Sequence, residues 1–142
     1  MESTGLLKRI NVSAKQSTVL AIDDVHSTLD IISCTLCKRF KVVSKPNAKD
    51  ALDWMHEANI PDLIISDLHM PEMDGFEFIK HLRSSGFFRE IPIVILSSYE
   101  NSNTRINCLR LGADDYLIKP FNPEELEARV DNIVRRTNKF GI

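Results

Sequence analysis

DLIISDLHMPEMDG, residues 62–75, opens as an apolar run, reaches an acid at Asp67 and breaks into a loop punctuated by Pro71 and Gly75. An apolar run this short, with no polar alternation, predicts a strand buried on both faces, the habit of parallel sheets. Two other runs end the same way: TVLAIDD closes on Asp23 and Asp24, and DYLIKP closes on Lys119 and a proline. Parallel strands share one carboxyl edge, so the three acids and the lysine are expected at one end of one sheet. Three carboxylates that close together disfavour one another's charge unless a cation joins them.

Working outward, strand and helix alternate five times. The predicted strands are Val19–Ile22, Lys41–Ser44, Asp62–Ser66, Ile91–Leu96 and Tyr116–Ile118. The first helix spans Ser27–Phe40, with Leu29, Ile32 and Leu36 on one face, and the second spans Ala48–Glu57, presenting Ala51, Leu52 and Met55. The third, Phe76–Ser84, turns Phe76, Ile79 and Leu82 inward. The fourth, Asn103–Leu111, stops at Gly112 as a glycine C-terminal cap. The fifth starts with Asn122 as N-cap, Pro123 next and Glu125 placed for a capping box, and it buries Leu126, Val130, Ile133 and Val134. Five βα units make an α/β domain: a doubly wound five-stranded parallel sheet with helices on both faces. Ligands of such sheets bind beyond the carboxyl ends of the strands. The expected organisation is an N-terminal arm (1–17), one domain (18–139) and a short tail (140–142). Leu6, Leu7 and Ile10 offer a short helical turn within the arm.

Composition bounds the partners. The chain has 142 residues, 43% hydrophobic and 27% charged, which suits one soluble globular domain. A net charge of -2 provides no field for direct nucleic-acid binding. No apolar stretch is long enough for a bilayer and no signal-peptide pattern opens the chain, so a cytoplasmic setting with no membrane partner is expected. Three cysteines, Cys34, Cys37 and Cys108, are too few and odd in number for a disulfide framework, and Cys34 and Cys37, a C-x-x-C inside a helical pattern, are read as small buried hydrophobes rather than a redox pair. His26, His56 and His81 have no partner at zinc-ligand spacing. Arg129, Arg135, Arg136 and Lys139 make one side of the fifth helix basic, read as a solvated face.

The edge cluster suits phosphoryl chemistry. Hard oxygen donors at an open edge suit Mg²⁺. A carboxylate can attack phosphorus to form an acyl phosphate. The transfer then needs charge neutralised on the equatorial oxygens, from the cation and from Lys119, with a hydrogen bond from Ser97 after the fourth strand.

The set Asp23-Asp24, DLHMPEMDG (67–75), LSS (96–98) and GADDYLIKPF (112–121) resembles the receiver domain of two-component response regulators, over about Ser17 to Lys139. The resemblance implies strand order 2-1-3-4-5 in a flavodoxin-like sheet. It implies that Asp67 is the phosphoacceptor, and that Asp23, Asp24, Asp67 and the backbone carbonyl of His69 hold Mg²⁺. Ser97 becomes the switch hydroxyl, Tyr116 the rotating aromatic and Lys119 the phosphoryl-sensing cation, joined to Pro120 by a cis bond. The implied partners are a sensor histidine kinase or histidine phosphotransfer protein and a downstream effector protein or domain. A homodimer through the surface of the fourth helix, fifth strand and fifth helix is also open to it. It implies a signalling domain with Mg²⁺-dependent self-phosphorylation and self-dephosphorylation, not an enzyme.

Departures are Ser97 where threonine is commoner, Val25 after the acid pair, and bulky His69 and Tyr99 two residues beyond Asp67 and Ser97. In the family those last two positions tune access of the attacking water, so a slowed self-dephosphorylation is expected. Among rivals, aspartyl-phosphate phosphatases and mutases need an acid where His69 stands. A nucleotide binder would need a G-x-G-x-x-G or P-loop, which the chain lacks. A receiver-like interaction module that works without phosphate would be expected to have lost an acid or the lysine.

Overall fold

The computed structural model describes residues 16–138. The strands are β1 (Thr18–Ile22), β2 (Lys41–Lys45), β3 (Leu63–Asp67), β4 (Ile93–Ser97) and β5 (Asp115–Ile118). The helices are α1 (His26–Leu36), α2 (Ala48–Met55), α3 (Gly75–Arg83), α4 (Ser102–Leu111) and α5 (Pro123–Asn138). All neighbouring strands are parallel, in the order β2-β1-β3-β4-β5, as the resemblance implied. The helical turn expected around Leu6 to Ile10, Lys139 and the tail 140–142 lie outside the described residues.

The period-2 alternation of the strands sorts their side chains between two cores. Leu20, Ile22, Ile64, Ile93, Ile95 and Tyr116 face α2, α3 and α4. Val19, Ala21, Leu63, Ile65, Val94, Leu96 and Leu117 face α1 and α5. No residue of β3 or β4 is exposed, which is why those runs show no polar alternation.

Two strands start later than predicted. Pro92 has no N–H to give a ladder, although its carbonyl accepts from Ile64 N at 2.9 Å, so β4 begins at Ile93. Asp62 stays outside β3 and caps instead, its Oδ2 accepting from Thr18 N at 2.8 Å. The shift puts Asp67 and Ser97 inside the last rungs, Asp67 beside Leu96 and Ser97 beside Ile118.

Four readings of the helices are corrected. Cys34 and Cys37 are exposed: Leu29, Ile32 and Leu36 occupy the inner stripe of α1, which turns Cys34 outward and leaves Cys37 as C-cap. Cys108 alone of the three is buried, and burial pushes its thiol up to about 11. On α3 the buried stripe is Gly75, Phe78, Ile79 and Leu82, with Phe76 only half-buried. The reciprocal capping box forms there, between Asp74 and Glu77, and not on α5. Asn122 does cap α5, through Glu124 N at 2.8 Å, but Glu125 accepts from Arg129. Arg129 is therefore not a free basic group. It pairs with Asp115 at 2.8 Å, and hydrogen bonding to that carboxylate holds its guanidinium above its usual range. Gly112 caps α4 at φ 119°, as expected of a glycine stop.

Candidate functional site: an acidic pocket at the carboxyl edge

β1 and β3 are adjacent, so their ends bring Asp23, Asp24 and Asp67 together, with one carboxylate oxygen from each within 4.8 Å of the others. Asp23 is fully buried, Asp67 is 7% exposed, and Asp24 faces solvent. β5 lies two strands from β3, yet the long Lys119 side chain reaches back across Ser97. Its Nζ donates to Asp23 Oδ2 at 2.8 Å and to Asp67 Oδ1 at 3.1 Å. The Lys119–Pro120 bond is cis.

Each buried carboxylate is held by its own loop. Asp23 Oδ1 accepts from Val25 N at 2.9 Å, and Asp67 Oδ1 accepts from Leu68 N at 3.0 Å. Asp67 Oδ1 thus takes both of its bonds, and among the described residues Oδ2 takes none. Burial, and then the Asp23 charge, hold the Asp67 carboxyl above the ordinary aspartate range, although Lys119 and Leu68 N–H pull the other way. Burial works against the Lys119 charge too, but two carboxylates outweigh it and its ammonium sits above the usual lysine range. The two shifts agree: Lys119 meets two opposite charges, whereas Asp67 meets one opposite and one like.

The cluster fits a hard divalent cation. Three acids face one cationic side chain, the donors are all oxygen, and Asp24 opens the pocket to water.

A second tier lies under the pocket. Ser97 is fully buried, its Oγ accepting from Tyr99 N at 3.0 Å. Tyr116 points inward at 6% exposure, and its hydroxyl donates to Tyr99 O at 2.8 Å. The ring of Tyr116 thus occupies the inner position. The Ile95–Tyr116 pairing puts it on the α4 side of the sheet, where the apolar core receives it. His69 and Tyr99 also meet, with ring centroids 4.6 Å apart.

Gly75 sets the loop that carries Asp67. Its N–H donates to Leu68 O at 2.7 Å, and a Cβ there would lie 2.9 Å from Leu68 Cα and 3.2 Å from Asp67 O. Backbone atoms cannot swing aside as a side-chain tip can. Gly75→Ala is expected to cost ~1–3 kcal/mol as an overpacked site and to shift the Asp67 and Leu68 amide resonances, read by urea denaturation and NMR.

Reasoning from sequence missed Arg83. Its Nε and Nη2 donate to Gly112 O at 3.0 and 2.7 Å, and Nη1 donates to Ile91 O at 2.7 Å and Arg89 O at 2.9 Å. Asp114 completes the brace, with Oδ2 3.1 Å from Arg83 Nη2 and 2.9 Å from Ile93 N. This ties α3 to the starts of β4 and β5, two of the strands whose far ends build the pocket. The first Asp of GADDYLIKPF thus has a structural role.

A doubly wound parallel sheet with paired acids, a third acid and a lysine at its carboxyl edge defines an α/β domain with a cation-fitting acidic site beyond its strand ends. Residues 19–131 match the response regulator receiver domain, and the chain belongs to that family. It is 37% identical over 131 residues to a probable transcriptional regulator, ycf27, of Guillardia theta, covering 92% of this chain and 50% of that protein. It is 40% identical over 119 residues to the two-component response regulator ORR5 of Oryza sativa subsp. japonica, covering 82% of this chain and 88% of that protein. The chain therefore spans about half the length of several curated relatives it matches. Among solved structures, a putative response regulator from Chloroflexus aurantiacus superposes with a TM-score of 0.80 at 31% identity, covering 84% of this chain and 98% of that one. Chemotaxis response regulator CheY4 of Vibrio cholerae gives 0.77 at 32% identity, covering 84% and 99%. The chain is thus a response regulator receiver, a signalling domain rather than an ordinary enzyme. No helix among the described residues is long and apolar enough to cross a membrane.

Proposed function

We propose that Asp67 accepts a phosphoryl group and that Ser97, Tyr99 and Tyr116 carry its presence to the surface of α4, β5 and α5. The observation that carries the reading is Lys119 shared between Asp23 and Asp67, with Asp67 Oδ2 left open. In the transfer, an Asp67 carboxylate oxygen forms a bond to phosphorus as the bond from phosphorus to the donor breaks. The leaving group departs with that bonding pair and takes its proton from solvent or from the donor protein. Asp23, Asp24, Asp67 and the His69 carbonyl would hold Mg²⁺, which when bound neutralises charge on the phosphoryl oxygens. Lys119 stays beside Asp67 and donates to a phosphoryl oxygen, while the Ser97 hydroxyl turns toward another.

Both new bonds involve an anionic acceptor and contribute ~1.5–3 kcal/mol each. Shifting a population from mostly off to mostly on needs ~5.5 kcal/mol, so the two together reach the required order. Because Tyr116 already lies inward on Tyr99 O, phosphorylation acts by locking this arrangement rather than creating it. The same inward position supports a second reading, a receiver-like module that engages partners without phosphate.

The donor is a sensor histidine kinase or histidine phosphotransfer protein, and the output is a downstream effector protein or domain, with a homodimer through α4, β5 and α5 as a further arrangement. The working domain is 18–139, in a cytoplasmic setting. The His69–Tyr99 ring contact slows self-dephosphorylation by narrowing the path of the attacking water. The test is incubation with a small acyl phosphate and Mg²⁺, followed by intact mass. The expected result is a gain of one phosphoryl group, abolished by a chelator. Lys119→Ala should still take up phosphate, more slowly, with the Tyr116 and Tyr99 resonances unmoved by it. No gain in the wild-type chain would sink the phosphoacceptor reading and leave the phosphate-independent module.

A further inference from the structure

The outer face of α1 carries two thiols that phosphoryl chemistry does not use. Cys34 and Cys37 are exposed and free, whereas Cys108 is fully buried. Free cysteine is ordinarily a core residue, so packing does not account for two of them on one solvent-facing stripe. They stand one helical turn apart, at i and i+3, the spacing that makes two side chains neighbours on a helix surface.

The position of the pair at the end of α1 decides what it can do. A disulfide needs its two Cβ atoms about 3.8 Å apart, and neighbours one turn apart on a helix hold them at about 5–6 Å. In mid-helix that approach would distort the turns on both sides. Here Leu36 is the last helical residue and Cys37 is the C-cap, with its N–H donating to Ser33 O at 2.8 Å. The chain then leaves through a turn in which Arg39 N and Phe40 N donate to Leu36 O at 3.1 and 2.9 Å. Cys37 can therefore approach Cys34 while Leu36 and Phe40, the buried anchors on either side of it, stay in place. A catalytic C-x-x-C opens its helix, where backbone N–H groups favour a thiolate. This one closes a helix, which suits a pair that is itself oxidised rather than one that oxidises other proteins.

We propose that Cys34 and Cys37 form a reversible dithiol–disulfide site, oxidised by a low-molecular disulfide of the glutathione class. One protein thiolate attacks a sulfur of the small disulfide, whose S–S bond breaks and releases a small thiolate. The other protein thiolate attacks the protein sulfur of that mixed disulfide and releases the second small thiolate. The two cysteine protons end on the released small thiols. The protein thus loses two hydrogens and two electrons, and the small disulfide gains them. In a reducing setting the pair rests as the dithiol and closes as the disulfide pool rises.

Incubation of the full chain with glutathione disulfide, followed by acid quenching, intact mass and peptide mapping, tests this. The expected product is a single chain lighter by two hydrogens, bridged between Cys34 and Cys37, with Cys108 left to be alkylated after unfolding. Reduced glutathione in excess should restore the original mass. Cys34→Ser and Cys37→Ser, both at exposed positions, should each stop at one glutathionyl adduct on the remaining exposed thiol. A wild-type chain that stays unmodified, or that stops at stable adducts as the variants do, overturns the proposal, because the two sulfurs then do not meet. A bridge that joins two chains, or one that uses Cys108, overturns it as well.

Discussion

Asp67→Asn is expected to abolish phosphoryl uptake and yet to leave the protein as stable as the wild type or more so when divalent cations are chelated. The amide offers no anionic oxygen to attack phosphorus, so the mass gain should vanish outright. The stability effect follows from electrostatics. Burial and Asp23 hold the Asp67 carboxyl above its ordinary 3.8, so the folded state binds that proton more tightly than the unfolded chain does. Stability therefore falls as pH rises from about 3.8 through the folded value, and the ionised form carries a cost at neutral pH. Asparagine removes that cost. The difference between wild type and variant should shrink as pH falls through this window, read by urea denaturation at a series of pH values with chelator present. Mg²⁺ should reverse the order, since a ligand at a hundred times its Kd adds ~2.7 kcal/mol to the form that binds it. A variant that takes up phosphate at the wild-type rate would remove Asp67 from the reaction.

Arg83→Ala is expected to give the largest loss of stability of any substitution outside the two apolar cores, ~2–4 kcal/mol after discounting for the partial exposure of its side chain. The guanidinium satisfies three backbone carbonyls and one carboxylate from two separate loops. Removing it leaves Asp114 with Ile93 N–H alone and frees the loops before β4 and β5. Arg83→Lys should recover little, because one ammonium cannot reproduce the fork. A Cβ at Gly112 would lie 2.8 Å from Arg83 Nε, and its φ of 119° disfavours any side chain. Gly112→Ala therefore strikes the same brace, and the double variant should lose less than the sum of the two. Denaturation midpoints for the three variants check this. A loss below ~0.5 kcal/mol for Arg83→Ala, the range of an ordinary surface change, would show that water replaces the brace.

Much of the fold was readable because its determinants are local. An apolar run that stops at an acid is visible in five residues, and five short strand patterns between helical ones leave few topologies. Gly112 and Asn122 act as read because caps depend on neighbours a few positions away. Some misreadings were also local. The spacing of Leu29, Ile32 and Leu36 already places Cys34 on the outer side of α1, and Asp74 with Glu77 spells a capping box as plainly as Asn122 with Glu125 does. Arg83 gave no signal, since its partners are carbonyls, which every residue has, and they belong to Arg89, Ile91 and Gly112 on other loops.

By itself the sequence determined which strands are buried, where each ends to within about a residue, and that Asp23, Asp24, Asp67 and Lys119 meet at one edge. Periodicity and strand termination are properties of adjacent residues, and parallel pairing carries them to one end. Only the tertiary structure decided how the four share charge: Lys119 bridging Asp23 and Asp67, Oδ1 of Asp67 engaged and Oδ2 open. It also decided that Tyr116 lies inward on Tyr99 and that His69 meets the Tyr99 ring. Those outcomes depend on side-chain reach and packing between loops far apart in the chain, which become defined only when the assembled sheet sets the distances between its strand ends.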